Sequence, residues 1–428
     1  MAIISENLQI VKDSTDAIMQ AIIDKGGIIE GDITTWASAI NGIQTGGEGV
    51  IESKQSKDVN FYDYDGTILY SYTTNEFKNL SSLPPLPIHQ GLTCQGWNYN
   101  LEDIGDVQDV GAIYITDDNK TRLYIHIEVP EQLAVEIRLN QNTAKGVRID
   151  WGDSNTSSES TTGHIIFYHT YENVGNYCIT IEKLKGTVTI GRGSSSYTLF
   201  GKPTDPGVNL LYKAELGAGI ALDSYTFYGC NSLRTITVPE GMTEFKTSLF
   251  QNCYSLVHVN IPKSIKTFGN NIFYNCYATR SISLSGAISK MGNSAMRNMH
   301  TLKRLVLPTK LTSISSNMCQ TNRCMIEIYN SNASTYGNAA FSAIENLIRF
   351  KMPPNVTSIG TTFAGNRNLR LVDFRDALQV PTLEATGFDS VHSDCKIVVP
   401  DTLYDSWITA TNWSNYASYI TKNSEYSE

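Results

Sequence analysis

The chain has 428 residues, of which 41% are hydrophobic and 18% charged, with a formal net charge of −9. Such a chain can bury a core, which excludes a disordered polar tract. The acidic balance excludes a nucleic-acid partner, because phosphate-backbone affinity comes from clustered Lys and Arg. The length predicts about three domains, and 23 Tyr, 32 Gly and 13 Pro favour β structure over long helices.

The N-terminus lacks a basic region followed by a long apolar run, so no Sec signal is expected. No apolar run is long enough to cross a membrane. The 8 Cys include no C-x-x-C pair; they read as reduced thiols, and neither metal nor cofactor is expected.

Residues 1–48 read as a helical pair. Leu8, Val11, Thr15, Ile18 and Ile22 form an apolar seam, Asp24-Lys25-Gly26-Gly27 stops the first helix, and Asp32 caps a second over 34–43. A Gly-rich linker follows, which marks the pair as an attachment or oligomerisation segment. The seam is too short to set the number of strands.

Residues 49–118 read as a small β-hairpin module. Segments 59–64 and 67–72 alternate around Asp65-Gly66, a strong two-residue turn. A Pro-rich stretch over 81–87 and a strand over 111–116 follow. Residues 119–205 read as a β-sandwich, with strands at 122–129, 133–139, 147–151, 164–169 and 177–182. His164 and His169 lie at odd spacing on one strand, so they face opposite sides and cannot share a metal. Asp150 and Asp153 read as turn residues rather than calcium ligands. Module and sandwich are expected to act as spacers.

From 206 to 400 the chain repeats with a 23-residue step. Phe227, Phe250, Phe273 and Met296 share it, as do Cys230, Cys253, Cys276 and Met299, and Pro239, Pro262, Ser285 and Pro308. The pattern continues less cleanly to Cys395, Ile397, Val399 and Pro400. One short strand per fixed period predicts a leucine-rich-type solenoid. The Cys column reads as small apolar filling. Residues 401–428, with Trp407, Trp413, Tyr416 and Tyr419, read as a helical cap and tail.

Three resemblances follow. The Phe-x2-Cys-x2-Leu units resemble the BspA-type leucine-rich repeats of bacterial surface proteins. Val147–Asp153, Tyr168–Tyr171 and Gly175–Ile181 are similar to a PKD domain, which implies an immunoglobulin-like module. The whole ordering, with Phe61–Thr67, Gly91–Asn98 and Ile115–Asp118, resembles tail, baseplate or fibre-associated proteins of phages and prophages in gut bacteria. That resemblance implies a virion protein whose N-terminal helices contact other virion proteins, as a homo-oligomer such as a trimer. The expected absence of a signal fits this; a BspA-like cell-surface adhesin is the alternative. No membrane insertion is expected.

Asp63-Tyr64-Asp65-Gly66-Thr67 also resembles the nucleophile motif of haloacid-dehalogenase-type phosphatases, with Asp117-Asp118 imitating the later metal pair. Only about 50 residues separate the two, too few for a doubly wound sheet. The flanks also alternate as in a half-exposed hairpin. An Asp-Gly hairpin is the expected reading, and no enzyme.

What remains is surface. Outward positions of the repeat strands are Thr235, Thr237, His258, Asn260, Ser281, Ser283, Arg304, Val306, Glu327, Tyr329, Arg349 and Lys351. They predict one continuous open face, hydroxyl-rich at first and charged at its end, suited to a host-surface glycan or protein.

Overall fold

The computed structural model describes residues 58–427, apart from 203, 204, 330 and 331. The helical pair expected over residues 1–48 lies outside the described residues. Among those described, no helix is long and apolar enough to cross a membrane.

The expected hairpin forms from β1 (Val59–Tyr62) and β2 (Ile68–Tyr72). Asp63 N donates to Thr67 O at 2.9 Å, and Gly66 takes φ +88°, a conformation open to glycine. A short helix, α1 (Thr74–Lys78), starts in a capping box between Thr73 and Glu76. With β3 (Leu92–Trp97) and β4 (Gln108–Thr116) the module forms a sheet of order β2-β1-β4-β3, in which β1 and β4 run parallel. Val59, Phe61, Phe77, Trp97 and Tyr114 make a core of its own. The alternation of β1 predicted a half-exposed strand, yet both its faces are buried. Val59 and Phe61 point into the module, while Asn60 and Tyr62 point at the repeats.

The sandwich contains β5 (Thr121–Ile127), β6 (Ala134–Gln141), β7 (Val147–Asp150), β8 (Thr156–Ser157), β9 (Gly163–Thr170), β10 (Gly175–Lys183) and β11 (Val188–Ile190). β5, β10, β7 and β8 make one layer, and β9, β6 and β11 the other. Trp151 is fully buried; His169 stacks on it at 4.8 Å, and Tyr171 Oη donates to its carbonyl at 2.8 Å. His169 bonds Asp153 at 2.6 Å while His164 is exposed, as their odd spacing demands. Asp150 and Asp153 accept the amides of Gly152 and Asn155 at 2.9 and 3.1 Å, so both carboxylates hold the turn. Among the described residues, no group of three or more His, Cys, Asp or Glu could hold a metal ion.

The sandwich is not packed apart from the repeats. β12 (Leu211–Glu215) pairs antiparallel with β5 and parallel with the repeat strand Thr235–Thr237. β13 (Ile220–Leu222) pairs with β11. One sheet therefore passes from sandwich into solenoid, and one apolar core runs through both. A solenoid needs its terminal turn covered, and the sandwich supplies that cover.

The repeat strands Thr235–Thr237, His258–Asn260, Ser281–Ser283, Arg304–Val306, Glu327–Tyr329, Arg349–Lys351, Leu371–Asp373 and Lys396–Val399 follow one another along one face. Their central residues, from Ile236 and Val259 to Val372 and Ile397, are buried. The 23-residue step puts like side chains in register: Phe227, Phe250 and Phe273 stack with centroids 5.6 and 5.4 Å apart. Gly229, Asn252, Asn275 and Asn298 all take the left-handed conformation, which Gly and Asn tolerate. Asn275 and Asn298 each donate to the preceding Asn of that column at 2.8 Å. After Thr321 the left-handed column continues at Ala343 and Gly365, a step of 22. This one-residue shortening blurs the later repeats in the sequence. Cys230, Cys253 and Cys276 are buried free thiols, and the latter two donate to Phe227 O and Phe250 O at 3.1 and 3.2 Å. Burial pushes all three thiols up, which keeps them protonated.

At the far end α2 (Tyr404–Thr409) and a 3₁₀ segment cover the last turn. Trp407 and Trp413 are fully buried, and Trp413 Nε1 donates to Pro381 O at 2.7 Å. The strand Ile420–Lys422 then pairs parallel with Lys396–Val399, so the cap also ends the sheet.

Candidate binding face

The predicted open face divides in two. Over the first repeats it is covered by the module of β1–β4. Thr237, His258, Asn260 and Ser283 are buried, and Thr235, Ser281 and Arg304 partly so. The expectation of one continuous open face does not hold there. Of these residues, Asn260, Ser283 and Arg304 donate to main-chain carbonyls of the module.

The grip is built from His258 outward. Its ring stacks on Tyr62 at 5.1 Å, with Nδ1 2.7 Å from Ser281 Oγ and Nε2 2.5 Å from Asn260 Oδ1. Asn260 therefore turns its amide nitrogen to Asp63 O and Ala112 O, at 3.1 and 3.0 Å. Burial holds His258 down to about 4, so the ring is neutral near pH 7 and fits this arrangement. Around it, Ser283 Oγ donates to Asp109 O at 2.8 Å, Asn98 Nδ2 to Ile261 O at 2.9 Å, and Tyr99 Oη to Leu284 O at 2.9 Å. Arg304 donates to Asp58 O and lies 3.4 Å from Asp109. Burial raises the Asp109 carboxyl, against the pull of Arg304. At Gly111 a Cβ would overlap the Asn260 side chain, so only glycine lets the two elements approach this closely.

Beyond the module the face opens. Glu327, Tyr329, Arg349 and Lys351 are exposed. A cleft of about 560 Å³ lies between the module loop at 105–108 and the repeats, reaching Val306, Ile328, Tyr329, Lys351, Met352, Pro353 and Asp376. Sequence reasoning placed Tyr329 and Lys351 on this face but missed Asp106, Met352 and Asp376. The change from uncharged to charged outward residues at Arg304 was the readable trace of where the cover ends.

The phosphatase-like motif has other occupations. Asp63 is buried, and its carboxylate accepts from Tyr114 Oη at 2.7 Å and Tyr64 N at 2.8 Å, with His89 Nε2 at 2.8 Å. Asp65 accepts Thr67 N at 2.9 Å. Asp117 accepts the Thr93 hydroxyl at 2.6 Å, and Asp118 takes two bonds from Arg122. Asp65 and Asp118 thus brace their own turns, while Asp63 and Asp117 tie theirs to neighbouring segments.

Comparison with known proteins bears on the repeats. Residues 219–325 and 318–393 match the family model of the BspA type leucine-rich repeat region, in six copies. No curated protein matches the chain. A leucine-rich repeat protein of Bacteroides ovatus aligns at 15% identity and a TM-score of 0.34, over 55% of this chain and 75% of that one. A leucine-rich cell surface protein of Faecalibacterium prausnitzii aligns at 21% and 0.36, over 46% of this chain and 52% of its own. A T. pallidum leucine-rich repeat protein aligns at 19% and 0.29, over 38% and 83%. The repeat region of this chain carries BspA-type leucine-rich repeats.

Proposed function

We propose that the chain is a non-enzymatic virion structural protein of a phage or prophage, a tail, baseplate or fibre component that displays its repeat face to a host-surface glycan or protein. The observation that carries the binding role is the open half of the strand face, where Tyr329, Arg349 and Lys351 stand exposed beside the cleft. The order of segments supports the virion setting through its resemblance to phage and prophage proteins. In that setting residues 1–48 are the attachment piece, the assembly is a homo-oligomer, and the PKD-like sandwich is a rigid carrier for the repeats.

A second reading, a BspA-like adhesin on a bacterial surface, is favoured by the repeat family itself. Immunogold labelling with antibody against the repeats separates the two. Gold at a fixed place on purified particles supports the virion protein. Gold on bacterial cells and none on particles replaces it with the adhesin.

A further inference from the structure

We propose that the cleft between module and open repeats takes a neutral oligosaccharide; this rests on the binding role given above to the open face. The floor is apolar, formed by the buried residues Val306, Ile328, Met352 and Pro353. Beside it Tyr329 leaves 36% of its surface exposed, with the Arg304 guanidinium 5.6 Å from its ring centre. An aromatic ring next to an apolar floor suits the C–H face of a sugar ring, and the phenol offers a polar tip at its edge.

Three ion pairs border this floor. Lys351 pairs with Asp376 at 2.9 Å, Lys78 with Asp106 at 2.7 Å, and Arg304 with Asp109 at 3.4 Å. A neutral polyol can bind beside these pairs without breaking any of them. A carboxylate accepts at about four lone-pair sites and an ammonium donates three hydrogens, so Asp106, Asp376 and Lys351 keep capacity after pairing. Hydroxyls both donate and accept, and they match that mixed capacity.

An extended peptide fits less well. The floor strands have their main chain engaged along the stack, with Leu307 N on Tyr329 O and Met352 N on Asp373 O, both at 2.9 Å. Those two amides are therefore not available to pair with an added strand. The volume of about 560 Å³ has room for more than one sugar ring and lies within the ordinary range of small-molecule sites.

Saturation-transfer NMR on the full chain tests this. The probes are neutral tetrasaccharides of glucose, mannose, galactose and N-acetylglucosamine, with a sialylated tetrasaccharide and a Leu/Ser octapeptide as comparators. At least one neutral probe should bind best. Tyr329→Ala should weaken it about tenfold or more, and Tyr329→Phe should retain it. The exposed position of Tyr329 leaves the repeat core intact in both variants. No transfer to any neutral probe, preference for the sialylated probe or the peptide, or binding that survives Tyr329→Ala overturns the proposal. If Tyr329→Ala abolishes attachment to cells while no neutral probe binds, the saccharide class fails and the binding face stands. If a neutral probe binds at Tyr329 but attachment is unaffected by its loss, the saccharide stands and the proposed function fails.

Discussion

Asn260→Ala should release the module from the repeats without unfolding either. The amide donates to Asp63 O and Ala112 O at 3.1 and 3.0 Å and faces His258 Nε2 at 2.5 Å, at a position 4% exposed. Truncation leaves the His258 donor and two carbonyls short of a partner in a buried interface. A buried polar group left unmade costs about 1–3 kcal/mol. Both carbonyls have a second lone pair to fall back on, so the total comes to about 2–4 kcal/mol, most of it at His258. At about 1.4 kcal/mol per factor of ten, opening of the interface rises roughly 30- to 1000-fold. The module has its own core, so the opening is local. Hydrogen-exchange mass spectrometry should show that acceleration in peptides spanning 58–63, 108–113 and 258–261. Protection at Thr335–Tyr336 and Ser358–Ile359 should hold. Unchanged exchange over the module would refute the assignment of the grip to Asn260. Equal acceleration along the whole chain would refute the view of module and solenoid as separately packed bodies.

Three further predictions follow from the same geometry. His258 sits at about 4 in the fold against 6.5 for the free side chain. Its neutral form is what the fold holds, so the stability it contributes is complete above pH 6.5 and lost as pH falls toward 4. That loss amounts to about 3 kcal/mol. Denaturation of wild type and His258→Asn at pH 7 and pH 4 should show a difference of this size between the two pH changes; equal changes would remove His258 as the cause. The raised carboxyl of Asp109 acts in the opposite sense, since burying its charge disfavours folding near pH 7 and protonation relieves this. The comparison therefore needs the variant rather than the wild type alone. Phe250→Ala, in the middle of the ring stack, should lower stability by about 3–5 kcal/mol in urea unfolding; a loss under 1 kcal/mol would mean that the stack adds little. Asp63→Asn should leave phosphate-ester hydrolysis at the buffer background, as in wild type, and lower the melting temperature because Tyr114 and His89 lose a charged acceptor. Hydrolysis in wild type that vanishes in the variant would restore the phosphatase reading.

The repeats were legible because every turn buries the same positions. Phe227, Phe250 and Phe273 write the period directly into the sequence, and Cys253 and Cys276 occupy one tight, dry site in successive turns. The period faded after Thr321 because the turn shortened by one residue while keeping its left-handed corners. The sandwich strands were legible from alternation, but their continuation into the repeats was not. The pairing of β5 with β12 joins Leu123 to Ala214 and leaves no local pattern. The covered half of the face was hidden for the same reason. Asn260 and Asn98 recognise main-chain carbonyls, which look alike at every residue. Gly111, whose missing Cβ admits Asn260, reads in the sequence as an ordinary strand glycine.

The central claim is that binding belongs to the open half of the repeat face. The most direct test measures retention of fluorescent full-length chain on bacterial cells of the source culture. It compares wild type, Arg349→Glu with Lys351→Glu, and Lys266→Glu with Lys290→Glu at the separate pair of short strands Thr267–Phe268 and Lys290–Met291. All four side chains are exposed, so each pair can change with little effect on folding. The account predicts that the first pair loses retention and the second keeps it. Retention kept by the first pair and lost by the second would place the binding surface elsewhere on the solenoid.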